Sequence, residues 1–272
     1  MLPPMITAEV ADRILCGVRR ISLDLGLSDS EITVTHNMAD LLGHMVKLDD
    51  LREITTKKNA VFFPDGCSLF QVAISSGRFY KLVPTAGAPT LEIDGIRMHR
   101  TKNTTPDLDV KEKLDVLGIH GGRTLDTCMG LGYTAIGALD RGADVVVSVE
   151  RESPVVRVAQ MNPWSSRLFD SEINLLLGDS FQYVDTLPPG FFDWVIHDPP
   201  RLTHAGELYS EEFYRKLYRV MKFGGRLFHY TGEPRSHYRG VDLQRGVQRR
   251  LKTAGFKRAE YHVDVMGITC EK

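Results

Sequence analysis

The stretch that decides the fold is Thr124-Leu-Asp-Thr-Cys-Met-Gly-Leu-Gly-Tyr-Thr-Ala135. Within it, Gly130, Gly132 and Ala135 match the G-x-G-x-x-A pattern of a strand, a tight turn and a helix start. Glycine permits positive φ angles and close approach of a ligand to the backbone, and the first N–H groups of a helix are available to bind it. The pattern therefore predicts a ligand-binding turn between a strand and a helix.

On both sides of this turn the chain alternates between strand-like and helix-like segments. We predict strands at RTLDTC, ADVVVSVE, INLLLGD, FDWVIHD and GRLFHYT, separated by helices at YTAIGALDR, SPVVRVAQM, FQYVDTL and LYSEEFYRKLYRVM. Alternation of this kind is typical of parallel strands joined by right-handed helical crossovers. A further helix, VDLQRGVQRRLKTAG, and two adjacent strands in FKRAEYHVDVMGITCE complete the predicted sheet.

The amino-terminal third has a different pattern. Four apolar residues share one face of a predicted helix: Ile6, Val10, Ile14 and Val18. Thr7 is its candidate cap. Short β-prone runs follow, and Asp94-Gly95 predicts a two-residue hairpin turn. We therefore predict a small, mostly β domain at residues 1–105 and an α/β domain at residues 106–272.

The overall composition excludes several classes of protein. Lys and Arg total 34 against 35 for Asp and Glu, so no global charge attracts nucleic acid or an anionic membrane. The cysteines form no C-x-x-C pair and no zinc-like spacing, which argues against a disulfide framework and against a metal site. Without a signal segment or a long apolar stretch, we expect a cytoplasmic protein with reduced thiols.

Three acids identify the type of ligand. Glu150 closes the strand about twenty residues past the glycines, where a carboxylate can accept hydrogen bonds from ribose hydroxyls. Asp126, ahead of the glycines, would repel a pyrophosphate yet suits the cationic methionine end of S-adenosylmethionine. Asp179, after the third strand, can meet the adenine amino group. The alternatives are that Asp179 only caps a helix and that Glu150 is a solvated strand end.

These motifs resemble the class I S-adenosylmethionine-dependent methyltransferase superfamily, over about residues 109–272. The resemblance is closest to archaeal-type predicted methyltransferases with a D-T-C-x-G-L-G-Y-T-A motif. It implies a Rossmann-like sheet of seven strands with an antiparallel last strand, and S-adenosyl-L-methionine as cofactor. The predicted cofactor-binding residues are Asp126, Gly130, Gly132, Tyr133, Glu150, Asp179, Ser180 and Asp198.

The predicted reaction centre is Asp198-Pro199-Pro200, at the end of the apolar strand FDWVIHD. It resembles the [D/N/S]-P-P-aromatic motif of methyltransferases that modify amino nitrogens. That resemblance makes Asp198 the candidate for aligning the acceptor nitrogen or accepting its proton. Pro199 and Pro200 fix the turn and withhold N–H donors, which leaves nearby carbonyls free to accept from an amine. The alternative is an Asp-Pro turn without chemistry.

Two observations keep the acceptor open. Arg201 stands where that family has an aromatic residue, which argues against a planar nucleobase and fits a phosphate, a carboxylate or a surface ion pair. GDSFQYV and ELYSEEFYRKLYRVMKFGGRLF resemble spermidine synthases, which transfer an aminopropyl group from decarboxylated S-adenosylmethionine and use an acid at the position of Asp198. Glu207, Glu211 and Glu212 fit an acidic polyamine site or, more simply, the solvated face of a helix.

The predicted partner is therefore an amine-bearing acceptor: RNA, a protein side chain or a small amine. Six basic residues form a candidate RNA stripe or, more simply, a solvated helix: Arg235, Arg239, Arg245, Arg249, Arg250 and Lys252. His197 is predicted to be buried, since strand alternation turns it away from Asp198. The non-enzymatic alternative is a binding module that retains the cofactor fold. No oligomeric state is predicted.

Overall fold

A computed structural model describes residues 2–66, 68–203, 205–232, 237–238 and 241–272. The chain forms two compact units. One comprises the residues up to Asp107 together with Pro154–Ser166. The other comprises Leu108–Ser153 and Arg167–Lys272.

The amino-terminal unit is rich in short antiparallel strands, which confirms the predicted β-rich region. Its strands are Ile6–Thr7, Arg20–Ile21, Ser30–Glu31, Thr33–Thr35, Met38–Leu41, His44–Lys47, Val61–Asp65, Ser68–Gln71, Ala73–Ser76, Arg78–Val83, Thr90–Ile93 and Ile96–Arg97. Its helices are Ala8–Leu15, Leu48–Ile54 and most of Ser153–Gln160.

The first helix is shorter than the apolar pattern predicts. Thr7 has an extended backbone and its hydroxyl accepts the Val10 N–H at 3.2 Å, which confirms the predicted cap. Ile6 therefore lies outside the helix and pairs with Phe62 across an antiparallel ladder. At the other end, Gly17 has a φ of 93°, a left-handed conformation that glycine adopts readily past a helix end.

The predicted hairpin at Asp94-Gly95 is confirmed. Both residues have positive φ, 50° and 82°, as a type I′ turn requires. The Asp94 carboxylate accepts the Phe79 N–H and the Arg78 Nε–H, each at 2.8 Å, which ties the turn to the neighbouring strand. Local turn chemistry and a cross-strand partner thus specify the same register.

The second unit contains a seven-stranded sheet, whose strands we number in chain order. They are β1 (Arg123–Asp126), β2 (Val145–Glu150), β3 (Ile173–Leu177), β4 (Phe192–His197), β5 (Met221–Tyr230), β6 (Lys257–His262) and β7 (Gly267–Glu271). The spatial order is β3-β2-β1-β4-β5-β7-β6. Strands β1 to β5 are parallel, and β7 is antiparallel to both of its neighbours. The predicted sheet of seven strands with an antiparallel last strand is confirmed.

The remaining elements are helices and a short ribbon. The α-helices are Pro106–Leu117, Tyr133–Asp140, Ser180–Tyr183, Glu211–Val220 and Leu243–Ala254. The 3₁₀ helices are Pro163–Phe169, Val184–Thr186 and Gly206–Tyr209, and a short ribbon joins His237–Tyr238 to Val241–Asp242. Among the residues that the structure describes, no helix combines the length and the apolar character needed to cross a bilayer.

One face of this sheet is covered by the helix Glu211–Val220. Leu125, Val195 and Leu227 are direct neighbours on β1, β4 and β5, and all three are fully buried. Phe213 and Leu217, one helical turn apart, are buried in the same core. Burial of each such side chain contributes about 1.5–3 kcal/mol. The packing fixes the strands, and thereby the edge at which their carboxyl ends meet.

Candidate active site

Three adjacent parallel strands deliver the predicted site residues to one edge of the sheet. Strand β1 lies between β2 and β4. Glu150 ends β2, the turn with Gly130 and Gly132 follows β1, and Asp198 follows β4. Because the strands are parallel, their carboxyl ends lie at the same edge, where open α/β sheets bind their ligands. The fold therefore places an acid on each side of a glycine turn.

The glycine turn adopts a backbone that other residues resist. Gly130 and Gly132 have φ angles of 56° and 78°. Gly132 is also the residue that precedes the helix Tyr133–Asp140. A Cβ at Gly132 would lie 2.5 Å from Leu168 Cδ1, closer than any real contact of that kind. The turn is thus a tight cradle with no space for a side chain at Gly132, and its cofactor contact stays a prediction.

Glu150 has the chemistry expected of a ribose ligand. Its Oε2 accepts the Gly130 N–H at 3.0 Å, and its Oε1 accepts the Glu152 N–H at 2.8 Å. A carboxylate has about four lone-pair sites, so acceptor capacity remains for ribose hydroxyls. Burial raises the pKa of Glu150 to about 7, although backbone N–H groups favour its ionised form. The site therefore fits a nucleoside whose hydroxyls donate to this carboxylate.

This pKa predicts that cofactor binding strengthens as the pH rises. Ribose hydroxyls donate best to the ionised carboxylate, and Glu150 loses its proton as the pH rises through about 7. We expect S-adenosylhomocysteine to bind about tenfold more tightly at about pH 8 than at about pH 6. Isothermal titration at the two pH values measures this. In Glu150→Gln most of the dependence should disappear, because Asp126, with a pKa of about 6, changes its ionised fraction only about twofold over this range. An unchanged pH profile in that variant would contradict the assignment.

Asp126 lies in the interior of the site. Its side chain is fully buried, and its Oδ2 accepts the hydroxyls of Thr134 and Ser148 at 3.0 and 2.9 Å. Burial raises its pKa to about 6, against these hydrogen bonds and one from the Cys128 N–H. Asp126 thus ties β1 to β2 and to the helix that follows the glycines. Its predicted contact with the cofactor stays a prediction.

Asp179 and Ser180 hold the loop after β3. Asp179 Oδ1 accepts the Phe181 N–H at 2.8 Å, the capping role that the sequence left open. The buried Ser180 hydroxyl donates to the Thr127 carbonyl. Tyr133 is buried at the start of its helix. The cofactor contacts predicted for Asp179, Ser180 and Tyr133 stay predictions.

Asp198 is paired with a lysine that the sequence analysis missed. Lys113 Nζ lies 2.6 Å from Asp198 Oδ2 and 2.7 Å from Asp109 Oδ2. The side chains of Lys113 and Asp109 are 5% and 2% exposed, whereas that of Asp198 is 24% exposed. Burial lowers the pKa of the Lys113 amine, but the Asp198 and Asp109 carboxylates more than offset this and hold it above its ordinary value. The available signal was the Asp-x-x-x-Lys spacing within Pro106–Leu117.

The turn after Asp198 is held by Tyr209. The Tyr209 hydroxyl donates to the Pro200 carbonyl at 3.0 Å, while Tyr209 itself is 4% exposed. We expected the carbonyls of this turn to be free for a substrate amine; the Pro200 carbonyl already accepts one hydrogen bond, and its second lone pair remains for that predicted contact. Pro199 is buried, so the two prolines and Tyr209 together fix the direction in which Asp198 leaves the strand.

His197 is buried, as strand alternation predicts. Its Nε2 lies 2.9 Å from the Leu208 carbonyl, which can only accept, so this nitrogen carries the proton. Its Nδ1 therefore accepts the Thr127 hydroxyl, 2.7 Å away. Burial lowers the pKa of His197 to about 4, which keeps the ring neutral. His197 joins the ends of β1 and β4 and has no exposed surface on which to meet a substrate.

The other candidate residues lie in ordinary surface contacts. Glu207 is 3.9 Å from Arg151, and Glu211 and Glu212 are paired one helical turn along with Arg215 and Lys216. These pairs are those of a solvated surface, and a polyamine contact of the three glutamates stays a prediction.

The basic stripe is only partly described. Arg235 and Arg239 lie outside the described residues. Arg245 is exposed, whereas Arg250 donates from Nε to the Tyr209 carbonyl at 2.8 Å and so supports the Asp198 turn. Arg201 is exposed next to that turn. An RNA contact of this stripe stays a prediction.

A family model described as "Conserved hypothetical protein 95" matches residues 95–220. The "Uncharacterized protein MJ1233" of Methanocaldococcus jannaschii is 42% identical over 275 residues, which cover 98% of this chain and 95% of that protein. The chain belongs to the family of that protein. The match covers both the β-rich amino-terminal region and the seven-stranded sheet of this chain.

More distant similarities lie with aminopropyltransferases. The "Polyamine aminopropyltransferase" of Thermoplasma volcanium is 31% identical over 125 residues, 45% of this chain and 45% of that enzyme's length. A crystal structure of spermidine synthase in complex with the transition state analogue AdoDATO has a TM-score of 0.62 at 19% identity, covering 74% of this chain and 72% of that one. At this identity the likeness shows the fold. The predicted resemblance to the class I S-adenosylmethionine-dependent and spermidine synthase folds is confirmed.

Proposed function

We propose that this protein transfers the methyl group of S-adenosylmethionine to an amino nitrogen. One observation carries the proposal: β2, β1 and β4 deliver Glu150, the glycine cradle and Asp198 side by side to the carboxyl edge of the sheet. A nucleoside held at Glu150 and Gly132 would have its reactive end on the side of Asp198. Each residue then has a role that its own contacts support.

Side chains and backbone groups of this chain would bind the nucleoside, orient the acceptor nitrogen and accept its proton. Glu150 retains acceptor capacity for ribose hydroxyls, and the left-handed backbone of Gly130 and Gly132 lets the nucleoside approach the N–H groups of the turn. When bound, the cofactor supplies an electrophilic carbon on a positively charged sulfur. Asp198 Oδ2 is held by Lys113, so Oδ1 is the oxygen that accepts an N–H of the acceptor and directs the nitrogen lone pair. The carboxylate then accepts the proton that the nitrogen releases.

Aminopropyl transfer from decarboxylated S-adenosylmethionine is the second candidate. The observation in its favour is the similarity to aminopropyltransferases in sequence over part of the chain and in fold. Both reactions need a nucleoside site and an acid beside the acceptor nitrogen, and the two differ in the group carried by the sulfur. The Glu150 and Asp198 positions suit either reaction.

Titration of the purified protein with the two nucleosides separates these candidates. We expect binding heat from S-adenosylmethionine, and transfer of a labelled methyl group to an acceptor in cell extract, detected by mass spectrometry. Heat from decarboxylated S-adenosylmethionine alone, together with an aminopropyl product, would replace the proposal by the second candidate. Heat from neither nucleoside would exclude both.

A further inference from the structure

The Lys113 ammonium is enclosed by three partners. Its Nζ contacts the carboxylates of Asp109 and Asp198 at 2.7 and 2.6 Å, and it lies 4.4 Å from the centroid of the Tyr230 ring. An ammonium has three N–H donors, and aromatic faces attract cations. Lys113 is therefore held from the helix Pro106–Leu117, from the end of β4 and from the end of β5. Because these contacts come from three different elements, they hold the Lys113 side chain in one position.

This position restricts Asp198 in two ways. Oδ2 is committed to Lys113, so the carboxylate cannot rotate without breaking an ion pair at a 5% exposed ammonium. A second cation approaching Asp198 also meets the positive charge of Lys113 at close range. Asp109 offsets that charge only in part for a group at Asp198, since the ammonium contacts Asp198 directly whereas the Asp109 carboxylate contacts the ammonium.

The site therefore discriminates between protonated and uncharged acceptor nitrogens. An alkylamine, like a lysine side chain with an ordinary pKa of about 10.4, is protonated at neutral pH and has no free lone pair. A nitrogen conjugated to a ring or a carbonyl is uncharged and needs alignment rather than electrostatic capture. An unpaired carboxylate would favour the first kind of acceptor, and a carboxylate fixed by a lysine favours the second.

We propose that Lys113 is a positioning and specificity-determining residue that orients Asp198 and makes the site select an acceptor nitrogen that is uncharged at neutral pH over a protonated alkylamine. This role rests on the proposed function, because it acts through Asp198. It deepens that function by naming the class of acceptor.

The test removes the lysine and keeps the total charge. In the double variant Asp109→Asn/Lys113→Met one negative and one positive charge are lost together, and Asp198 is left without its partner. Spermidine is titrated into each protein in the presence of saturating S-adenosylhomocysteine. We expect spermidine to bind the double variant about tenfold or more tightly than the wild type. Transfer of labelled methyl to the extract acceptor should fall at least about tenfold, with S-adenosylhomocysteine affinity unchanged.

Two control variants separate the effect of the Lys113 charge from a general effect of substitution. Lys111→Met makes the same substitution at an exposed position of the same helix and should leave both ligand affinities and transfer unchanged. Lys113→Arg retains the cation and should keep spermidine binding weak. A general loss of stability, by contrast, does not create affinity for a cation.

The outcomes separate this role from the proposed function. If the double variant binds spermidine as weakly as the wild type, Asp109 simply cancels Lys113 and the selectivity role is overturned, while methyl transfer by the wild type stands. If the double variant does not fold, the spermidine titrations of the wild type and of Lys113→Arg still test the role. Tight binding of spermidine to either protein would overturn it. A wild type that binds no S-adenosylmethionine and transfers nothing overturns the proposed function itself.

Discussion

Replacing Asp198 by asparagine is expected to reduce transfer by about a hundredfold to ten-thousandfold while cofactor binding stays within about twofold. Asparagine keeps the shape of the side chain but neither accepts a proton nor balances the charge of Lys113. Transfer is measured with labelled S-adenosylmethionine, and cofactor binding by titration with S-adenosylhomocysteine. A fall in transfer with intact binding assigns Asp198 to the reaction and excludes the cofactor contact that the family resemblance implies for it.

Asp193→Asn is the matched control for this variant. Asp193 lies on the same strand near its other end and is paired with Lys222 at 2.7 Å. Loss of that pair affects stability, since the Lys222 and Arg123 groups around Asp193 hold the pKa of its carboxyl below the ordinary value, against burial. It should leave transfer unchanged. Full transfer by Asp198→Asn would contradict the proposed chemistry and favour a binding module that retains the fold without catalysis.

Replacing Gly132 by alanine is expected to weaken cofactor binding by about tenfold to a hundredfold. The left-handed backbone alone costs about 1–2 kcal/mol for a residue with a Cβ. The new methyl would also meet Leu168, which is fully buried and has little room to move. Displacement of the turn shifts the Gly130 N–H away from Glu150, and so disturbs the ribose site itself.

Gly190→Ala is the control that separates the backbone strain of a positive φ from the collision with Leu168. Gly190 also has a positive φ, 60°, but a Cβ there would meet no atom within 4 Å. Both variants should lose thermal stability, whereas only Gly132→Ala should lose affinity for S-adenosylhomocysteine in a titration. Equal affinities in the two variants would show that the turn at Gly132 does not contact the cofactor.

Features set by local chemistry were predictable from the sequence. The positions of the sheet strands along the chain follow from apolar runs separated by helical periods, and the Asp94-Gly95 hairpin follows from a dipeptide that tolerates positive φ. The antiparallel last strand was expected only from the family resemblance. The ends of the first helix were less predictable. Apolar spacing extends from Ile6 to Val18, but Ile6 has a strand partner in Phe62, far along the chain.

The ion-pair network of the site was not predictable in the same way. An Asp and a Lys four residues apart usually form a solvated pair on a helix surface, and periodicity does not reveal that Asp109 and Lys113 face the sheet. Lys113 meets Asp198 only because the helix packs against the end of β4. The hydroxyl of Tyr209 likewise reaches Pro200 through a fold of the chain that local spacing does not encode.

Thr127, which follows β1, is hydrogen-bonded to residues at the ends of β4 and β3. Its hydroxyl bonds to His197, beside Asp198, and its carbonyl accepts the hydroxyl of Ser180, which follows β3. Displacement at one of these ends is therefore transmitted to the others. We expect the two substrates to bind with positive cooperativity, so that the nucleoside raises affinity for the acceptor and the acceptor raises affinity for the nucleoside by the same factor.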